Sequence, residues 1–161
     1  MTTVVLPYPK DVRDLFEGLL GRDVEVGPGE PVVPSDVTYA GVGLYVGDNL
    51  ALSGAVAADL ALTTYAGAAL GLVPVSSAHD QIKARSLLGP TWENFAEMLQ
   101  IGVSLLNHDG APHVRLYGTY EPGELPQNDV LELLRGLGRR LDLTVTISGY
   151  GRGHLSIVRP F

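Results

Sequence analysis

The chain has 161 residues, of which 45% are hydrophobic and 18% charged, and its formal net charge is -7 at pH 7. A chain of this size and composition is expected to form one domain, residues 1–161, with a hydrophobic core of its own. The acidic charge argues against nucleic acid as a partner, and the lack of cysteine excludes disulfides and thiolate metal sites.

Neither a signal peptide nor a membrane span is indicated by the sequence. The N-terminus has no charged region followed by an apolar run. The most apolar stretch, residues 50–75, contains Asp59, two threonines and three glycines, which suits a buried helix better than a membrane span. We therefore expect a cytoplasmic protein that makes no contact with a membrane.

The first elements are a helix, a strand and a loop. Residues 11–20 repeat apolar side chains with helical spacing, which predicts an amphipathic helix that ends before Gly21. Residues 23–26 predict a short strand. Three prolines make residues 27–35 a loop or an irregular edge.

A hairpin and an alanine-rich helix are expected next. Residues 37–46 alternate as a strand does, and a turn over residues 47–49 leads into a short second strand at residues 50–52. Ser53 is expected to cap a helix over residues 54–70, whose alanines permit close packing on a sheet.

The second half of the chain predicts further helices, one strand and a closing hairpin. Helices are predicted at residues 77–88, 89–107 and 129–140, the last of them capped by Asn128. A strand is predicted at residues 113–120, after the turn Asp109-Gly110. The closing hairpin joins residues 141–148 to residues 154–158. Arg135, Arg139 and Arg140 are expected to complement the end of the last helix. Strands joined mainly by hairpins, with helices in blocks, predict an α+β fold with a largely antiparallel sheet and helices packed on it.

The helix predicted for residues 89–107 carries its polar side chains in one stripe. Glu93, Glu97, Gln100 and Ser104 fall at i, i+4, i+7 and i+11, within a narrow arc of the helix. The carboxylate of Glu97 can bind a cation on a partner, and the amide of Gln100 can orient a water because it both donates and accepts hydrogen bonds. The alternative is that the stripe is only the solvated face of an amphipathic helix.

Other candidate sites have less support. His79, His108, His113 and His154 are dispersed and lack the spacing of a zinc site, so no metal site is expected. The glycine-rich residues 149–153 lie between two strands rather than before a helix, which indicates a hairpin turn and not a phosphate-binding loop. No Gly-x-Ser-x-Gly motif is present to support a serine nucleophile.

The polar stripe resembles the motif of the CheC/CheX family of bacterial chemotaxis proteins. That motif is an Asp or Ser, three residues, a Glu, two residues and an Asn, and the matching positions here are Glu93, Glu97 and Gln100. Residues 41–71 resemble the family's hairpin and alanine- and leucine-rich helix, and residues 141–158 resemble its closing hairpin. In this sequence Gln100 replaces the family's Asn.

The resemblance implies a CheC/CheX-like fold and a role in chemotaxis signal transduction. It implies a phosphatase that hydrolyses the aspartyl phosphate of a response-regulator receiver domain. By the resemblance, Glu97 would pair with a lysine of the receiver and Gln100 would position the attacking water, while Glu93 and Ser104 would contact the partner. No cofactor of the chain's own is implied, because the receiver supplies Mg²⁺.

Two other functions stay open. A catalytically silent CheC/CheX-like module would bind a partner, or a second copy of the chain as a homodimer, through the helix face or an exposed strand. A pocket between sheet and helices, lined by Tyr39, Tyr45, Tyr65 and Tyr117, would instead bind a small ligand.

Overall fold

Six strands form one antiparallel sheet in the part of the chain that the computed structural model describes, residues 6–107 and 113–160. The strands are β1 (Val24–Pro28), β2 (Ala40–Val46), β3 (Leu52–Asp59), β4 (Arg115–Tyr120), β5 (Arg139–Ile147) and β6 (Gly151–Arg159). Their order across the sheet is β1-β5-β6-β3-β2-β4. The hairpins β2-β3 and β5-β6 thus meet in the middle, and β1 and β4 form the two edges.

The helices lie on both faces of this sheet. They are α1 (Pro9–Leu20), α2 (Leu60–Leu70), α3 (Val75–Ala84), α4 (Gly89–Ile101) and α5 (Asn128–Arg135), and short 3₁₀ turns cover Asp48–Leu50 and Gly102–Leu105. The predicted α+β class, with helices packed on an antiparallel sheet, is confirmed.

Two cores follow from the alternation of side chains along the strands. On one face α1, α2 and α4 pack against the sheet through residues such as Phe16, Leu62 and Phe95. On the other face α5 packs through Val130 and Leu134 against small residues of the central strands. Burial of each large side chain contributes about 1.5–3 kcal/mol, so both cores stabilise the sheet between them.

The helix predicted for residues 54–70 is wrong in its first third. Residues 52–59 form β3, which pairs with β2 on one side and β6 on the other, and only Leu60–Leu70 is helical. Asp59, not Ser53, caps the helix, because its side chain accepts a hydrogen bond from the Leu62 backbone at 2.9 Å. Residues 50–75 are therefore not one buried helix.

The helix predicted for residues 129–140 is also too long. It ends at Arg135, its N-cap is Gln127 rather than Asn128, and residues 139–140 already belong to β5. Leu137, which a longer helix would point inward, is 94% exposed. Arg140 does complement the helix end as expected, since its Nη1 donates to the carbonyls of Leu134 and Gly136.

Smaller differences concern element boundaries. α1 starts two residues before the predicted residue 11, and α3 covers Val75–Ala84 rather than residues 77–88. The turn predicted at Asp109-Gly110 and the side chain of His108 lie outside the described residues. No helix in the described part of the chain has the length and the hydropathy that a membrane crossing needs.

Candidate functional site

The polar stripe lies on α4, which is buried on its other sides. Leu88 is the N-cap and Pro90 stands in the first turn, where the missing N–H of a proline costs nothing. Buried side chains of α4 face the first core: Thr91, Phe95, Met98 and Leu99. The helix is therefore held by packing, and only one face of it is open to solvent.

The structure brings Glu93, Glu97 and Gln100 together on that open face. All three side chains are exposed. At 3.6 residues per turn they fall within about 60° of the helix surface. Ser104 is also exposed, but it lies beyond α4 in the 3₁₀ turn Gly102–Leu105, so the spacing of a continuous α-helix does not extend to it.

The carboxylates of the stripe have no partner among the described residues. Ion pairs in the described chain include those of Lys10 and Arg13 with Asp14 and of Arg140 with Asp142, and His154 lies 3.0 Å from Asp59. Glu93 and Glu97 take part in none of them, nor in any side-chain hydrogen bond there. Both carboxylates are thus free to attract a cation on another molecule.

Tyr45 fixes the C-terminal end of α4. Its hydroxyl donates to the backbone carbonyl of Leu99 at 2.6 Å, and the side chain is 1% exposed. Burial raises the pKa of Tyr45, so the hydroxyl stays protonated and keeps its role as donor. The bonded carbonyl directly precedes Gln100, whose backbone is thereby anchored to the sheet.

A close crossing of α2 and α4 fixes the other end. Asn94 donates from Nδ2 to the carbonyl of Gly67 at 3.1 Å. A Cβ on Gly67 would overlap the backbone carbonyl of Thr91, so only glycine allows the two helices to come this near. The sequence analysis predicted neither contact. Asn94 lies outside the polar stripe of α4, and a polar side chain there could have indicated a hydrogen bond within the protein.

The other candidates do not assemble into a site. His79 packs edge-on against Tyr65, and His154 Nδ1 lies 3.0 Å from Asp59, whose other oxygen caps α2. Among the described residues no three His, Asp or Glu side chains group as metal ligands would. The hairpin between β5 and β6 forms as predicted, but its turn covers residues 148–150, with Gly149 at a φ of 84°, and residues 151–153 already belong to β6.

The four tyrosines proposed to line a ligand pocket lie in different surroundings. Tyr45 is buried below α4, whereas Tyr117 is 57% exposed on the edge strand β4. Tyr39 stacks under the guanidinium of Arg85, and Tyr65 packs near Tyr150. A pocket shared by these tyrosines is therefore not formed.

Comparison with known proteins finds similarity of structure but not of sequence. No protein-family model matches the chain, and no curated protein matches it significantly. A chain of a FliM–SpeE complex from H. pylori has a TM-score of 0.53 and 9% identity, over 94% of this chain and 81% of that one. The FliM middle domain of Vibrio alginolyticus has a TM-score of 0.51 and 8% identity, over 94% and 88% of the two chains.

These likenesses identify the architecture, which the FliM middle domain shares with CheC and CheX proteins. The chain has a CheC/CheX-like fold. A CheX in complex with CheY, BeF3 and Mg from Borrelia burgdorferi also matches, with a TM-score of 0.47 and 11% identity over 90% of each chain. At these identities the comparison concerns the fold alone, and in this CheC/CheX-like fold the exposed face of α4 is the candidate site.

Proposed function

We propose that this CheC/CheX-like protein accelerates hydrolysis of the aspartyl phosphate on a response-regulator receiver domain. The supporting observation is the exposed pair Glu97 and Gln100, one turn apart on a helix whose opposite face is buried in the core. A carboxylate and an amide in this arrangement can contact one small target from the same side.

The chemistry needs little from the protein beyond positioning. Water attacks the phosphorus, the bond between phosphorus and the aspartyl oxygen breaks, and inorganic phosphate and the aspartate carboxylate result. The amide oxygen of Gln100 would accept a hydrogen bond from the attacking water and so align it. Glu97 would bind a lysine of the receiver and hold the two proteins in register, while the receiver's own Mg²⁺ offsets the charge on the phosphoryl group.

The anchoring of α4 suits such a role. Gln100 has one methylene more than asparagine, so its amide reaches further from the helix and gains a rotatable bond. The hydrogen bond from Tyr45 to the Leu99 carbonyl fixes the backbone beside it and thereby restricts where that amide can go. Because a displacement of about 1 Å can cost about 100-fold in rate, this restriction matters for catalysis.

A dephosphorylation assay against the receivers of the source organism tests the proposal. The wild-type protein is expected to shorten the lifetime of at least one phosphorylated receiver. Gln100→Ala is expected to lower kcat by about 100-fold, and Glu97→Gln to raise the KM. Glu132→Gln is the matched control, because Glu132 is an exposed glutamate of α5 on the opposite face of the sheet.

Both site residues are exposed, so the variants are expected to unfold at the same urea concentration as the wild type. A Gln100→Ala variant that retains full activity would overturn the assignment of the water-positioning role. A wild-type protein that accelerates none of the receivers would overturn the phosphatase function itself.

A second function is a protein-binding module without catalysis. It is favoured by the chain of similar fold that has been captured in a complex of two proteins, FliM and SpeE. The unpaired carboxylates of α4 would serve binding as well as catalysis. This function predicts a stable complex with a receiver, measured by calorimetry, with no change in the receiver's rate of dephosphorylation.

A further inference from the structure

An apolar cavity of about 40 Å³ lies directly behind the candidate site, between α1, the end of α4 and the sheet. Its lining includes Leu15, Phe95, Met98, Gly102 and Leu105. The one hydroxyl in the lining, that of Tyr45, is already bonded to the Leu99 carbonyl. Water would find no free partner there, so the cavity favours an apolar group, and it has room for roughly three water-sized groups, close to one branched aliphatic side chain.

The cavity opens beside the C-terminal end of α4. Leu15, Gly102 and Leu105 are only half-buried, which places the opening between α1 and the C-terminal end of α4. Ile101 follows Glu97 at i+4 on α4 and is 39% exposed, whereas Leu105 lies beyond the helix in the 3₁₀ turn Gly102–Leu105. Ile101 thus forms a short apolar path from Glu97 toward the end of α4, where the cavity opens.

We propose that the receiver docks with one aliphatic side chain in this cavity while its cation pairs with Glu97; the inference rests on the proposed function. The unpaired carboxylates of Glu93 and Glu97, on a chain of net charge -7, favour a partner surface that is positively charged. The apolar lining of the cavity favours a partner that carries an apolar side chain near its positive charge.

Docking by such an anchor affects binding and not the chemical step. The cavity lies on the buried side of α4, whereas Gln100 lies on the exposed side. Loss of the anchor is therefore expected to raise the KM for the phosphorylated receiver and to leave kcat at saturation unchanged. A catalytic defect of Gln100 has the opposite signature.

The test fills the cavity with a side chain of the protein's own. Gly102 has a φ of -63°, and a Cβ on it would meet only Leu15, at 3.8 Å, so Gly102→Leu can extend toward the cavity without backbone strain. We expect the KM to rise about 10- to 100-fold, the range that corresponds to burial of one aliphatic side chain. Gly18→Leu is the matched control, because Gly18 is exposed on α1 with nothing within 4 Å of an added Cβ.

Urea denaturation would reveal whether Gly102→Leu fails to fold, and a second variant tests the docking site in that case. Ile101→Ser removes an exposed side chain of the apolar path and is expected to raise the KM several-fold with kcat unchanged. An unchanged KM in the folded variants overturns the docking site, and so does a fall in kcat alone. If the wild-type protein itself neither binds nor dephosphorylates any receiver, the proposed function fails and the docking site fails with it.

Discussion

At the scale of single residues, Tyr45 shows how one buried hydroxyl can fix the end of the helix that carries the candidate site. Its bond to the Leu99 carbonyl takes up an acceptor near the end of α4, where the chain changes to the 3₁₀ turn Gly102–Leu105. Carbonyls in the last turn of a helix lack intrahelical partners and need another donor when they are buried.

Removal of this hydroxyl is expected to destabilise the protein. Tyr45→Phe leaves the Leu99 carbonyl unsatisfied beside an apolar cavity, so we expect the free energy of unfolding to fall by about 1–3 kcal/mol. The measurement is urea denaturation, followed by the fluorescence of Trp92, the single tryptophan. Tyr117→Phe is the control, since Tyr117 is 57% exposed, and equal midpoints for both variants would contradict the role given to Tyr45.

The sequence could predict that Tyr45 lies in or near the core, but not what it binds. Alternation along residues 37–46 is typical of a strand with one buried side, whereas the acceptor lies 54 residues further along the chain. The same limit applies to Leu72, which has a φ of 56° and ends α2 in the position where glycine is usual. Local pattern gives no sign of a leucine in that conformation.

At the scale of elements, the crossing of α2 and α4 depends on one glycine. The alanine-rich composition of α2 predicted close packing, and the nearest approach is at Gly67, beside Thr91 of α4. Asn94 adds a hydrogen bond between the helices at the same place. The candidate site is therefore positioned by a contact between backbones, which allows little adjustment.

A methyl group at this crossing is expected to force the helices apart. Gly67→Ala should lower the free energy of unfolding by about 1–3 kcal/mol through overpacking, although alanine is the better helix former. Gly18→Ala makes the same change on α1, where an added Cβ meets nothing within 4 Å. This variant should raise the free energy of unfolding by about 1 kcal/mol. Chemical denaturation of the two variants measures both free energies of unfolding. If both variants changed the free energy of unfolding in the same direction, the close crossing at Gly67 would not be what limits the packing of the two helices.

The misassignment of β3 as a helix has a physical cause. Alanines in residues 52–59 favour a helix when taken alone, but β3 is held by strands on both sides and its small side chains lie between two layers of helices. The lengths of the two predicted strands could have revealed the error. A strand of three residues at 50–52 cannot pair with all of residues 37–46, so the second strand had to be longer. By contrast, the exposed stripe of α4 was predictable, because its periodicity does not depend on distant contacts.

At the scale of the whole molecule, one polar network ties the second face of the sheet together. The backbone N–H of Val32 donates to Ser156, whose hydroxyl donates to Asp142 at 2.6 Å. Asp142 also accepts two hydrogen bonds from Arg140, which in turn caps the end of α5. The network thus joins the proline-rich segment at Val32 to α5, β5 and β6, three consecutive elements more than 90 residues further along the chain.

Acid is expected to weaken the fold through this network. Burial alone would raise the pKa of Asp142, but the hydrogen bonds from Arg140 and Ser156 and the charge of Arg140 outweigh it and hold the pKa below its usual 3.8. A carboxyl with a lowered pKa stabilises the fold above the unfolded-state pKa of about 3.9, and this stabilisation disappears as the pH falls through the folded-state pKa.

Asp142→Asn should therefore lower the free energy of unfolding by about 1–3 kcal/mol at pH 7, because Arg140 loses its charged partner in a half-buried place. Its loss of stability between about pH 5 and pH 2 should be shallower than that of the wild type. Asp14→Asn is the matched control: Asp14 pairs with Lys10 and Arg13 on the exposed surface, where ion pairs contribute little. Urea denaturation at a series of pH values gives the free energy of unfolding of each variant as a function of pH. If the curves of Asp142→Asn and the wild type were parallel down to pH 2, Asp142 would not link the stability of the fold to pH.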